Sequence, residues 1–432
     1  MLNLFFLLTC YLILKTVREP LILAGGGAEI KSYAAAGQAL LLVLVVPAYG
    51  FLASRVNRIK LITWVVLFFI FNLIAFYVMA QFQVPLGVAF FLWVGIFNLF
   101  IVAQFWSFAN DIYTPEQGGR LFAIIAFGGS LGAILGPKIA GWLFKPLGAY
   151  ALMLVAAALL GLYILIANIV NRLEQRSIKA PAKKEEAEAP LGKEGGFELV
   201  IGQRYLLLIA LLMIALNLVN TTGEFILGKT VTLKAQQIAS SQDLDVGRTA
   251  AAAELANKEK AKIVEGFIGE FYANFFFWVS LISAAVQLFL VSRILNYVGV
   301  SAALFFLPGV ALGGYSLIVL MPVLSYITSA KIVENSIDYS LQNTCRQALF
   351  LPTSREAKYK AKAAIDTFFV RIGDVLSALF VFTGVILALD IETFAAVNVG
   401  FALASLCLVV GIARCYKNLS VESKTGACST IT

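Results

Sequence analysis

Apolar runs of about 20 residues recur along the whole chain, and that recurrence limits the fold more than any motif does. A helix rises about 1.5 Å per residue, so such a run spans the roughly 30 Å hydrocarbon core of a bilayer. Qualifying windows fall near 1–23, 35–54, 61–81, 86–111, 120–144, 148–171, 204–227, 267–292, 298–319, 321–344, 364–389 and 392–415. Only 13% of the 432 residues are charged and 60% are hydrophobic, whereas soluble domains carry about 25% charge. The expectation is an all-α polytopic membrane protein with about twelve transmembrane helices. The first run continues into Lys15, Arg18 and Glu19, which reads as a span and not as a cleavable leader.

The formal net charge of +8 has a topological explanation. With a cytoplasmic N-terminus, the inner loops hold Arg55, Arg58 and Lys60, then Arg120, then Arg172, Arg176, Lys179, Lys183 and Lys184, then Arg355, Lys358, Lys360 and Lys362. The short outer loops near 82–85, 319–321 and 389–392 carry neither Lys nor Arg. This asymmetry follows the positive-inside rule with both termini cytoplasmic. It makes nucleic acid an unneeded partner; the expected surroundings are a lipid bilayer, in a bacterial inner membrane, around a monomer.

Histidine is absent and the five cysteines form no CxxC pair. Imidazole bases, His-ligated metals and Ser/His or Cys/His dyads are therefore excluded, and no catalytic residue, metal site or cofactor is expected. An aspartyl enzyme built on Asp366 and Asp374 would need flanking signatures that the sequence lacks.

Two polar stretches interrupt the apolar pattern. Residues 172–203, rich in charge, Pro and Gly, read as a cytoplasmic linker between an N-terminal six-helix bundle (1–171) and a C-terminal one (204–416), with 417–432 a cytoplasmic tail. Residues 230–265, rich in Ala, Lys and Glu, read as an exposed helical excursion on the outer face between spans 7 and 8. A spacer is the expected role there, with a lid or partner surface as the alternative.

Six plus six spans around a charged linker resemble the major facilitator superfamily, in which spans 1, 4, 7 and 10 line a cavity between two rocking halves. The stretch 50–60, GFLASRVNRIK, resembles the superfamily's G-x-x-x-D-R-x-G-R-R loop, with Arg55 and Arg58 in the basic positions and Ser54 and Asn57 departing from it. Gly128, Gly129, Gly132, Gly136, Pro137 and Gly141 resemble its glycine-proline motif in span 5, whose physical use is close helix approach. Ordinary small-residue packing explains that stretch equally well.

A charge within hydrocarbon costs at least about 2.5–3.5 kcal/mol, so mid-span charge must be paired, hydrated or functional. Span 1 carries Lys15, Arg18 and Glu19 on one face, and span 4 carries Gln104, Ser107 and Asp111. Span 7 carries Asn217, Asn220, Thr221 and Glu224, with Lys229 beyond, and span 10 carries Lys331, Glu334, Asn335 and Asp338. Lys15, Arg18, Asn217, Asn220, Lys331 and Asn335 are the candidate substrate-binding set for an anion. Glu19, Asp111, Glu224, Glu334 and Asp338 are candidate counter-charges or proton sites. Arg371 and Asp374 in span 11, together with Arg55, Arg58, Gly136 and Pro137, are assigned to gating or structure. Pro20 is expected to break span 1, and Gly25-Gly26-Gly27 to form a hinge at its mouth.

Four stretches in order resemble the non-mitochondrial ATP/ADP translocases, a nucleotide transporter family. Leu14–Leu21 is similar to that family's L-[RK]-x-x-[KR]-[DE]-x-L, and Gly27-Ala28-Glu29 to its G-A-E. Phe105–Asp111 resembles F-W-x-F-A-N-[EQ]; Tyr339-Ser340-Leu341, Leu351-Pro352 and the run from Glu356 to Asp366 resemble Y-S-L, I-P and E-x-K-x-K-x-K-A-A-I-D. The resemblance implies a carrier that exchanges or imports nucleotides or related phosphorylated anions, using Lys15, Arg18 and an acid at Asp111. Asp111 is shorter than the family's usual acid, and Pro20 is added to the first motif. Two other readings stay open: a proton-coupled carrier of another organic anion, and a membrane assembly protein whose polar stripes are structural.

Overall fold

The computed structural model describes residues 1–53, 58–112, 115–177, 196–241, 250–354 and 356–425, and these are helical with short connections. Nine helices among the described residues are long and apolar enough to cross a membrane. Two of them are far too long for one crossing. Leu2–Ala53 has 52 residues, about 78 Å at helical rise, and Pro115–Ser177 has 63. Each is divided by a glycine whose backbone only glycine adopts readily: Gly27 at φ 72°, ψ −179° and Gly148 at φ 75°, ψ 173°.

Dividing those two gives eleven, and the shorter, more polar helix Leu324–Ile337, which is not among the nine, brings the long helices among the described residues to twelve: α1 (2–26), α2 (28–53), α3 (Arg58–Gln81), α4 (Gly87–Ile112), α5 (115–147), α6 (149–177), α7 (Arg204–Ser241) and α8 (Ala250–Phe289). They continue with α9 (Phe306–Leu320), α10 (Leu324–Ile337, prolonged by a π turn Asp338–Gln342 and by Asn343–Ala348), α11 (Val370–Ile386, preceded by wide turns) and α12 (Ile391–Thr425). Pro20 does not break α1, because the helix runs through it and turns at Gly27 instead. The hinge expected at Gly25-Gly26-Gly27 is thus confined to Gly27, and 24–34 is helical on both sides of it.

Two compact units make up the fold: residues 1–185 with 228–280, and 186–227 with 281–432. The stretch 230–265 is helical where it is described, as its run of helix formers leads one to expect. It prolongs α7 to Ser241 and starts α8 at Ala250, and it clusters with the first unit. In that unit α5 lies so close to α1 that a methyl on Gly132 would sit 2.3 Å from the Phe5 carbonyl oxygen, and one on Gly136 would sit 2.8 Å from that of Thr9. Small residues permit such backbone approach in lipid. Between α3 and α4, Phe69 meets Trp93 and Phe97 edge-on at 5.4 and 5.0 Å, while Trp93 stacks on Phe97 at 5.4 Å. The opposite face of α3 exposes Trp64, Leu67, Phe68 and Phe71 at helical spacing, an apolar stripe that hydrocarbon satisfies and water would not.

The second unit is held by Phe394 of α12 between Phe225 of α7 and Phe380 of α11, at 4.9 and 5.1 Å. Polar ties cross the same helices: Asn398 donates to the Val219 carbonyl at 3.0 Å, and the Tyr205 hydroxyl donates to that of Leu349 at 2.8 Å. At the start of α12, Asp390 accepts the Thr393 amide at 2.9 Å. Hydrogen bonds from the Thr393 side chain and backbone hold the Asp390 carboxyl below its ordinary range.

Gly27→Ala should lower the thermal unfolding temperature of the detergent-solubilised protein, since the reversal at this residue carries positive φ. Gly161→Ala, where an added methyl meets nothing within 4 Å, should leave it unchanged or raised; tryptophan fluorescence on heating checks both.

Candidate functional site

The reversal at Gly27 returns α2 alongside the end of α1, and that brings Lys31 to the candidate residues of span 1. Glu19 is fully buried. Its Oε1 accepts from Arg18 Nε at 3.1 Å and also from Arg18 Nη2, and its Oε2 lies 2.7 Å from Lys31 Nζ. Arg18 rests 4.4 Å above the Phe91 ring, Lys31 5.3 Å from that of Tyr272 and Lys15 4.4 Å from that of Phe276. A second pair, Lys229 with Glu29 at 3.3 Å, extends the cluster. Among the described residues, Lys15, Arg18, Lys31 and Lys229 gather about the carboxylates Glu19 and Glu29. Such a gathering of cations inside an apolar unit is a setting that suits an anion.

The second unit gathers a different set. Lys331 is fully buried, with Nζ 2.8 Å from Asn220 Oδ1 and 3.2 Å from Glu334 Oε1. Glu334 also accepts the Tyr315 hydroxyl at 2.8 Å, and Asn335 donates to Glu224 at 3.1 Å. The Asn217 amide donates at 2.8 Å to the Val370 carbonyl and at 2.7 Å to Asp374. Asp374 also accepts Thr221 at 3.0 Å and Arg371 at 2.9 Å. A cavity of about 320 Å³ opens beside this network, lined by Asn217, Asn220, Asp338, Tyr339, Gln342, Asn343 and Arg346 among others. Here Lys331 pairs with Glu334 and Arg371 with Asp374 within the unit, and the wall mixes the amides of Asn217, Asn220, Gln342 and Asn343 with apolar Met213, Leu216 and Val370.

The structure therefore brings Lys15, Arg18 and Glu19 together in one unit. In the other it brings together Asn217, Asn220, Glu224, Lys331, Glu334, Asn335, Arg371 and Asp374, with Asp338 at the cavity. Gly136 and Pro137 lie in the contact of α5 with α1. Arg55 falls outside the described residues, as do the side chains of Arg58 and Asp111. Sequence reasoning missed Lys31, because 24–34 falls between the first two apolar windows; the GAE-x-K spacing after a glycine run was the available signal. It also missed Tyr315, Arg346 and Gln342, which no charge stripe marked.

The sequence profile of the Major Facilitator Superfamily matches residues 22–348. This chain belongs to that superfamily. ADP,ATP carrier protein 1 of Chlamydia pneumoniae is 23% identical over 348 residues, which cover 71% of this chain and 59% of the carrier. The protein of the same name from Chlamydia trachomatis serovar D is 24% identical over 320 residues, covering 64% and 54%. The chain thus spans less than two-thirds of the length of these curated relatives. Among solved structures, the nucleoside transporter NupG aligns with a TM-score of 0.58 at 13% identity over 94% of this chain and 98% of its own. A bacterial homologue of the lysosomal transporter Spinster, inward-facing, aligns at 0.53 and 16% identity over 99% and 98%. These likenesses establish a major facilitator transporter fold, all-α and multi-pass.

Glu19→Gln keeps the shape of the buried side chain but removes the charge that Arg18 and Lys31 share. Breaking a buried pair from one side costs about 3–5 kcal/mol, so this variant should unfold at a clearly lower temperature. Lys145→Gln, which breaks the exposed pair with Glu270, should unfold as the parent does.

Proposed function

We propose that this major facilitator protein is a secondary active transporter that moves nucleotides across a bacterial inner membrane, by exchange or import through alternating access. On this reading it has cytoplasmic termini, acts as a monomer and catalyses no covalent step. The observation that carries the reading is the pairing of Arg18 and Lys31 with buried Glu19, with Lys15 one helical turn away on the same face. A phosphate chain of about −4 charge needs several Lys or Arg donors, and Lys15 and Arg18 stand at the positions the translocase resemblance assigns to that task. Similarity to the chlamydial ADP,ATP carriers supports the same substrate class.

In this scheme Glu19 competes with the substrate for Arg18. While the site is empty, the carboxylate neutralises the guanidinium and keeps it desolvated at low cost. An arriving phosphate takes over part of that pairing, so substrate binding exchanges one anion for another instead of exposing a bare cation. A proton-coupled carrier of another organic anion is the second reading. It is favoured by the carboxylates Glu224, Glu334 and Asp338 gathered in the second unit, which offer protonation sites within the membrane.

Proteoliposomes loaded with unlabelled nucleotide should take up labelled ATP or ADP. Uptake driven only by a pH gradient, with no nucleotide exchanged, would establish the second reading, and no transport of any kind would favour an assembly role. Lys15→Ala and Arg18→Ala should each abolish uptake while leaving expression and membrane insertion intact. Parental rates in both variants would remove the cation cluster from the transport path.

A further inference from the structure

Gln342 is 3% exposed and lines the cavity of the second unit, yet neither its Oε1 nor its Nε2 has a hydrogen-bond partner among the described residues. A buried carboxamide with both ends unmet is costly, and a leucine of similar size would avoid the cost. Both amide atoms are closed off as the side chain stands, and the amide is accounted for if it turns into the cavity to meet something that enters. Gln342 closes the π turn Asp338–Gln342, and such widened turns occur frequently at functional sites.

The surrounding groups define what would enter. Asn220 and Asn343 each have their carbonyl oxygen taken, by Lys331 at 2.8 Å and by Arg346 at 2.9 Å, so each presents the N–H end of a polarised amide. Arg346 is itself drawn toward Asp366 at 3.7 Å. Asp338 supplies a carboxylate, the partner that sugar hydroxyls take in nucleotide sites. Tyr339, about half exposed, supplies an aromatic wall. One guanidinium and one carboxylate leave this lining without net charge, unlike the cation cluster of the first unit. A volume of about 320 Å³ lies at the small end of the roughly 300–1,000 Å³ of ligand pockets, enough for a ring with its sugar and too little for a phosphate chain as well.

We propose that this cavity is a base-reading subsite, in which the Gln342 carboxamide pairs through its donor and acceptor with adjacent acceptor and donor groups on the edge of a nucleobase. The proposal rests on the nucleotide reading above. Primary amides make this two-bond match with heterocycle edges, and each good pair discriminates by roughly tenfold or more.

The test measures binding of ATP, GTP, CTP, UTP and inorganic triphosphate to the purified full-length protein in detergent, for the parent and for Gln342→Leu. The parent should bind at least one nucleotide more tightly than triphosphate. Gln342→Leu should weaken that nucleotide roughly tenfold, leave triphosphate unchanged, and unfold no more readily than the parent without ligand. Nucleotide affinity untouched by the substitution, or lost in step with triphosphate, overturns the base-reading role and leaves the nucleotide reading standing. Equal affinity of the parent for triphosphate and every nucleotide does the same, whereas a parent that binds no nucleotide and transports none overturns both.

Discussion

Glu19 cannot be charged and buried unless cations reach it, and the first unit is arranged so that two do. Arg18 precedes it on α1, and Lys31 arrives only because the chain reverses at Gly27. The reversal needs a residue without a side chain, and the ion pair needs the reversal. Close packing of α4 on α1, where Gly87 meets the backbone of Leu21 and Ile22 and Phe91 lies under Arg18, covers α1 beside the pair with protein. A bilayer makes each of these conditions strict, since an unmatched charge or an open backbone group has no water to turn to.

The two units handle buried polarity differently. In the first, Lys15, Arg18 and Lys31 lie over aromatic rings, which stabilise positive charge without neutralising it. In the second, Lys331 and Glu334 satisfy one another, and Tyr315 and Asn220 bond to them in turn. Rings do in one unit what hydrogen bonds do in the other.

Much of this was legible in the sequence. Hydropathy located the spans because every helix facing lipid must be apolar for about 20 residues, and the polar stripes on spans 1, 7 and 10 became the observed networks. Junctions were harder to read. The hinge expected at Gly25-Gly26-Gly27 falls at Gly27, but residues 28–34 lie outside the apolar windows because Glu29 and Lys31 depress hydropathy, and Lys31 was lost with them. Pro20 was expected to break α1, but a proline near the end of a membrane helix is accommodated when neighbouring helices cover the freed carbonyl. The helical residues 230–241 and 250–265 were legible from their helix formers, though not from hydropathy, because their charges take them out of the apolar windows. Gln342 carries no charge and sits in no stripe; its significance lies in what fails to touch it, which only coordinates reveal.

The pairing pattern sets which side chains are fixed. Glu19 is matched by Arg18 and Lys31 of its own unit; Glu334 is matched by Lys331, and Asp374 by Arg371 and Asn217, of theirs. Removing one partner of such a buried pair costs about 3–5 kcal/mol, because the charge left behind has no water to turn to. Each pair therefore holds its own unit together, and the helices that carry it are tied to one another as firmly as the apolar packing ties them.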